Sequence, residues 1–201
     1  EVRKQRLKRR SDGVEGDFFV LNTNDWVNVL AITPQNELIL VRQFRYGTQD
    51  YSLEPPGGVV EKSEDPLIAG IRELQEETGY VGETPKLLGV VRPNAAILSN
   101  RCHIMLVRNA KKTAELNFDQ HEELITELYP LTELKDLVKK GEISHSIGLI
   151  SLLHFGIQCF NVAVNTESNL PDFTISIPIS NASAVSDTAH DKPPPPRSFI
   201  A

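Results

Sequence analysis

β-rich apolar runs occupy 17–22, 26–33 and 37–44, each bounded by turn-forming residues, and they predict three strands. Pro34-Gln35-Asn36 supplies the turn between the second and third. The first ten residues are rich in Lys and Arg, and Ser11-Asp12-Gly13 follows them. A localisation or nucleic-acid patch is one reading of that run. A solvated edge strand turning into 17–22 is the preferred one, because Asp-Gly before a β-rich run is a hairpin signal. The pattern then breaks at Gly47 and at Glu54-Pro55-Pro56-Gly57-Gly58, where no regular structure is expected. A helix is predicted over 66–78, with Asp65 as its cap, Pro66 in its first turn and Gly79 as a left-handed end. Strands follow at 86–91, 102–107 and 123–129. A helix over 131–140 closes at Gly141, and a second spans 144–160 with two internal glycines. Beyond about residue 160 the composition turns to Ser, Thr, Asn and Pro. A flexible tail over 161–201 is expected there, with a short strand conceivable at 174–179. The interleaving implies one α/β domain over 1–160, a mixed sheet covered by helices, with strands 1–24 available for dimerisation.

Chemistry concentrates on the helix over 66–78. At 100° per residue, Glu73, Glu76 and Glu77 fall within one arc of about 100°. Leu67, Ile71 and Leu74 lie roughly opposite, toward the core. Ala69 and Gly70 flank the acidic arc, and their small size invites close approach by the Gly57-Gly58 loop. Three carboxylates on one face repel one another, more so in a cleft, unless a cation sits among them. Carboxylate oxygens suit Mg²⁺ or Mn²⁺. Arg72 reaches Glu76 at i,i+4, and Glu64 if the loop folds back. The competing reading is a solvated glutamate-rich face, which is common on surface helices.

Composition narrows the partners. The 201 residues are 40% hydrophobic and 24% charged, as in an ordinary globular domain. A net charge of −6 and a pI near 5.4 argue against a general nucleic-acid binder, but not against a small anion met by a bound metal. Cys102 and Cys159 form no disulfide framework or zinc spacing, and buried thiols in a reducing, cytoplasmic compartment are expected. The apolar stretch 147–164 is broken by Ser151, His154, Gln158 and Asn161, so no membrane span is expected. The chain opens at Glu1 rather than methionine, which leaves a targeting segment upstream open.

The wider pattern decides between the two readings of the acidic face. From Gly58 the chain runs five residues to Glu64, seven more to Arg72-Glu73-Leu74-Gln75-Glu76-Glu77-Thr78, then Gly79-Tyr80. It resembles the Nudix box, Gly-x5-Glu-x7-Arg-Glu-U-x-Glu-Glu-x-Gly-U, with Tyr80 at the last bulky aliphatic position. A chance match is on the order of 10⁻⁷ at average residue usage. The resemblance implies an α/β/α sandwich with a mixed sheet, whose box lies as loop–helix–loop beside it. It implies Mg²⁺ or Mn²⁺ held by Glu73, Glu76 and Glu77, with the Gly57 carbonyl as a further ligand. Gly58, Glu64, Arg72 and Gly79 become structural residues of the motif.

Segments 24–29, 41–46 and 53–58, with Pro93 after the box, resemble the branch acting on nucleoside diphosphate sugars, ADP-ribose included. The loop 94–100 carries Asn or Ser where some ADP-ribose hydrolases have an acidic residue. The resemblance implies hydrolysis of a diphosphate to a nucleoside monophosphate and a sugar phosphate. Nucleoside triphosphates or dinucleoside polyphosphates are the alternative substrates, and a non-catalytic sensor is a third reading. A loop glutamate before the strand at 123–129 is implied as general base or extra metal ligand: Glu122 first, Glu123 second, with Glu76 the remaining catalytic candidate. Arg45, Trp26 and Glu54 are the substrate-binding candidates, Arg45 because guanidinium suits phosphate, Trp26 or Phe44 for stacking on a base. His103 and His145 are read as structural. Members of this branch are homodimers joined through N-terminal strands.

Overall fold

The computed structural model describes residues 1–117, 124–163 and 199–200, with side chains to residue 157 along the last helix. Strands β1 (Val2–Arg9) and β2 (Glu15–Leu21) form an antiparallel hairpin. Its turn is closed by Arg9 N donating to Val14 O at 2.8 Å and by Gly13 at φ 75°. Lys4 and Arg6 pair across it with Asp17 and Glu15, so the basic run is half of a charge-matched hairpin.

Next come β3 (Trp26–Ile32), β4 (Glu37–Arg45), β5 (Asp50–Glu54), β6 (Gly57–Val59) and α1 (Pro66–Thr78). They are followed by β7 (Tyr80–Val81), β8 (Lys86–Val91), β9 (Cys102–Val107), β10 (Lys111–Lys112) and β11 (Leu124–Pro130). A 3₁₀ turn (Leu131–Glu133) leads into α2 (Leu134–Lys140) and α3 (Ser146–Ala163), and β12 (Phe199–Ile200) ends the described chain. The main sheet runs β11-β4-β3-β9-β8, with β5 on β4 and β6 on β3. The pair β3–β9 is parallel and the other pairs are antiparallel, so the sheet is mixed.

The period of two sorts β3 onto two cores. Val27, Val29 and Ala31 pack with Ala69 and Leu74 of α1. Leu30 and Ile32 pack with Leu134 and Leu137 of α2 and with Leu149 and Ile150 of α3. The sheet is thus covered on both faces, the expected α/β/α sandwich. Among the described residues no helix is long and apolar enough to cross a membrane.

Several local expectations change. The stretch after Pro56 is not irregular: Gly57–Val59 is a strand, in register with Trp26, Val27 and Asn28. The segment at 131–140 begins as a 3₁₀ turn directly after Pro130 and becomes α-helical only at Leu134. The last helix starts at Ser146, two residues later than expected, and runs three residues further. The conceivable strand at 174–179 lies outside the described residues, as does most of the 161–201 tail. Phe199 and Ile200 pair with Arg9 and Lys8 on an edge of β1, as an open strand edge invites.

Candidate active site

Local chemistry fixes α1. The Asp65 side chain accepts from Leu67 N at 2.8 Å, Pro66 opens the helix, and Gly79 at φ 70° closes it by donating to Gln75 O. Arg72 makes five hydrogen bonds, four of them to the surrounding acids. Its Nε and Nη2 fork onto Glu64 at 3.0 and 3.1 Å, and Nη2 also donates to the Val59 carbonyl at 3.1 Å. Its Nη1 donates to both Glu73, at 2.9 Å, and Glu76, at 3.0 Å. The Arg72 fork holds the Glu64 carboxyl below its ordinary value, with help from the Glu61 N–H.

Glu77 is 2% exposed, and its Oε2 accepts from Gly57 N at 3.0 Å. The β6 strand comes this close because its first two residues, Gly57 and Gly58, lack side chains. A Cβ on Gly58 would sit 2.5 Å from the Glu73 carboxylate, and one on Gly57 would sit 2.1 Å from the Val27 carbonyl oxygen. Gly70 does not serve that loop, contrary to the helical-wheel expectation. A Cβ there would meet Met105 Sδ at 2.4 Å and Val27 at 3.0 Å, and Ala69 is fully buried in the α1 core. Both small residues admit the sheet's side chains.

Does this set fit a divalent cation? The donors do in kind: three carboxylates on one helix face beside a glycine strand, all hard oxygens. Among the described residues no group of three is gathered closely enough to hold an ion. Arg72 ties Glu73 and Glu76 together, and the Gly57 N–H engages Glu77.

A second charged centre lies at the end of β5. Glu54 is 2% exposed and takes Arg45 Nε and Nη2 at 2.8 and 2.7 Å. His145 Nδ1 lies 2.9 Å from Glu54 Oε2, an ion-pair distance, although the ring is turned off the line of a hydrogen bond.

With this geometry in hand, the NUDIX domain family model matches residues 24–147. The chain belongs to the Nudix family. It is 32% identical over 135 residues to the methanol dehydrogenase activator of Bacillus methanolicus, covering 66% of this chain and 72% of that one. It is 30% identical over 120 residues to the ADP-ribose pyrophosphatase of Bacillus subtilis (strain 168), covering 58% of this chain and 64% of that one. The chain therefore spans less than two-thirds of this second relative. The crystal structure of an ADP compounds hydrolase shares the fold, with a TM-score of 0.72 at 23% identity over 80% of this chain and 86% of that one.

In this Nudix hydrolase the box residues Gly58, Glu64, Arg72, Glu73, Glu76, Glu77 and Gly79 are brought together around α1 and β6. The substrate candidates are spread more widely. Trp26 is half-buried and in register with Val59 of β6 and Cys102 of β9. Arg45 is partly exposed and forked onto Glu54. Glu54 is buried beneath Arg45 and His145, and these two side chains are its partners among the described residues. Phe44 is exposed, edge-on to Tyr46 and Tyr51 with centroids 5.7 and 5.6 Å away. Glu122 and Glu123 lie outside the described residues. Sequence reasoning missed the buried pair Asn28 Nδ2 to Ser151 Oγ, at 3.2 Å. No local signal announces it, because the partners are far apart in the chain. His103 pairs with Asp25 at 3.2 Å, and both histidines expected to be structural hold carboxylates.

Glu54 carries a pH prediction. Burial alone would raise its pKa, but the Arg45 fork and His145 outweigh burial and hold it down to about 2, from an ordinary 4.5. A depressed carboxyl stabilises the fold above its ordinary value, and that stability is lost as pH falls from about 4.5 toward 2. Discounted for the exposure of Arg45, the shift corresponds to roughly 2 kcal/mol at neutral pH. Glu54→Gln is expected to lose about that much in urea unfolding at pH 7 and to show a shallower fall in stability below pH 4.5. Wild-type stability and an unchanged acid limb in the variant would refute this.

Proposed function

We propose that this Nudix hydrolase cleaves the diphosphate of a nucleoside diphosphate sugar or ADP-ribose, releasing a nucleoside monophosphate and a sugar phosphate, with Mg²⁺ or Mn²⁺ as cofactor. The observation that carries the reading is the intact acidic face. Glu73, Glu76 and Glu77 share one side of α1, braced by Arg72 and lined by Gly57 and Gly58 of β6. The B. subtilis relative named an ADP-ribose pyrophosphatase supports the substrate class.

The residues that would hold the cation are Glu73, Glu76, Glu77 and the Gly57 carbonyl. When bound, it supplies positive charge against the diphosphate and makes water a better nucleophile. The rest is the work of side chains. Arg72 orients Glu73 and Glu76 from one nitrogen, while its fork on Glu64 fixes the guanidinium plane. Gly57 N–H orients Glu77 from the opposite side. Arg45, fixed in direction by Glu54, is the side chain we assign to the substrate phosphate. Trp26 or Phe44 is assigned to the base, and Glu122 or Glu123 to accepting the proton of the attacking water.

Hydrolysis with Mg²⁺ against a panel of nucleotide sugars, ADP-ribose, nucleoside triphosphates and dinucleoside polyphosphates tests the reading. Preferred cleavage of the sugar-linked diphosphates is expected. Preference for triphosphates or dinucleoside polyphosphates would replace the substrate, and binding without cleavage would make the protein a sensor. A cytoplasmic location belongs to the same reading.

A homodimer completes the proposal. The β1–β2 hairpin lies outside the main sheet and exposes Val2, Phe19 and Leu21 on one face and Phe18 on the other, apolar side chains suited to contact with a second copy. Light scattering is expected to give a dimer that a Phe18→Asp/Phe19→Asp double variant dissociates. A wild-type monomer, or a double variant that stays dimeric, would overturn it.

A further inference from the structure

Helix α3 lies outside the box, and only its first two residues fall within the family match, yet α3 and His145 just before it touch the segments that carry the site, at Glu54, Pro55 and Asn28. His145, whose carbonyl accepts from Leu149 N at the start of the helix, places Nδ1 2.9 Å from Glu54 Oε2. Gly148 faces Pro55: a Cβ there would lie 3.3 Å from Pro55 Cδ. Ser151, fully buried, donates to the Ile147 carbonyl at 2.8 Å and accepts from Asn28 Nδ2 at 3.2 Å. Asn28 is the register partner of Gly57, and its Oδ1 would lie 2.9 Å from a Gly57 Cβ.

Gly148 and Ser151, three residues apart, share one side of the helix, and His145, whose carbonyl caps its first turn, continues the same spacing. Their contacts fall in chain order on Glu54, Pro55 and the neighbour of Gly57. Two consecutive prolines make 54–57 stiff, so a displacement at Glu54 or Pro55 is passed to Gly57. Gly57 in turn donates to Glu77. The contrast with Gly156 in the same helix is informative. A Cβ there meets nothing within 4 Å, so only Gly148 is held small by a neighbour.

We propose that His145, Gly148 and Ser151 are positioning residues, a stripe on α3 that seats the 54–57 backbone against Glu77 and thereby sets the affinity of the site for its divalent cation. The inference rests on the reading that Gly57, Glu73, Glu76 and Glu77 hold that cation. Groups that orient metal ligands typically change metal affinity by 10- to 100-fold when removed. Asn28 and Ser151 act one step further out, so the low end applies.

The test is calorimetric titration of the full chain with Mn²⁺ alone, without substrate. Asn28→Ala and Ser151→Ala are each expected to weaken Mn²⁺ binding by about 10-fold. The double variant should also lose about 10-fold, not about 100-fold, because both singles break the same hydrogen bond. His145→Ala, at a partly exposed position that tolerates truncation, is expected to weaken binding in the same direction through Glu54. Tyr129→Phe, which loses a hydrogen bond to Glu127 on β11, should keep wild-type Mn²⁺ affinity whatever it does to the melting temperature. Unchanged affinity in Ser151→Ala and His145→Ala overturns the proposal. So do losses that add in the double variant, or an equal loss in Tyr129→Phe, which would mean that affinity merely tracks stability. If the wild-type chain binds no Mn²⁺, the cation reading falls and the stripe with it; if it binds and the variants match it, the stripe alone falls.

Discussion

Glu77→Gln is expected to lower kcat by at least about 10²-fold while the protein stays folded. Glu77 is the most enclosed of the three box glutamates, at 2% exposure, and its Oε2 accepts the Gly57 N–H. Glutamine has the same volume, and its amide oxygen can take over that hydrogen bond. What it removes is the charge. A hard divalent cation is held by anionic oxygen, and a neutral amide is a weaker donor. The cost to the fold is a buried NH₂ group needing a partner, about 1–3 kcal/mol. Circular dichroism and thermal melting should therefore show a native, somewhat less stable protein. Raising Mg²⁺ should recover part of the activity, because the defect is in holding the cation. Near-normal turnover of the folded variant in Mg²⁺ would remove Glu77 from the site. An unfolded variant would make Glu77 a structural acid, and Glu76→Gln, at a partly exposed position braced by Arg72, would then carry the same test.

The box was legible because its determinants are local. The cap at Asp65, the left-handed Gly79 and the Glu64–Arg72–Glu76 network all lie within about fifteen residues of chain, where helical geometry alone relates them. What escaped was decided by distant partners. Two prolines and two glycines read as a loop, but 57–59 becomes a strand because Trp26, Val27 and Asn28 offer it an open edge. Gly70 lies beside the acidic arc on a helical wheel, yet what fills the space above it is Met105 of β9. Glu54 reads from the sequence as a substrate-binding candidate; it is buried against Arg45 and, 91 residues further on, His145. Local periodicity carries no information about which side chain from another element will arrive.

Glu122→Gln is expected to have the widest range of effect, a loss of about 10²- to 10⁴-fold in kcat, the range for removal of a general base. Water attacking phosphorus must give up a proton. Glu73 and Glu76 are engaged by Arg72, and Glu77 by Gly57, and all three are assigned to the cation. The base should therefore come from another element. Strand β11 begins at Leu124 and reaches α1, where Thr126 Oγ1 lies 3.5 Å from the Glu77 carbonyl oxygen. Glu122 and Glu123 are the two carboxylates immediately before β11 in the sequence, and they are the residues we assign to the base. One attacking water needs one proton acceptor, so their variants should differ sharply. Glu122→Gln should lower kcat with little change in KM, because substrate contacts are assigned elsewhere. Glu123→Gln should matter less, and the acid limb of the kcat profile should flatten only in the variant that lacks the base. A dead Glu123→Gln beside an active Glu122→Gln would keep the mechanism and exchange the two residues. Full kcat in both single variants and in the double variant would mean that the proton leaves by another route.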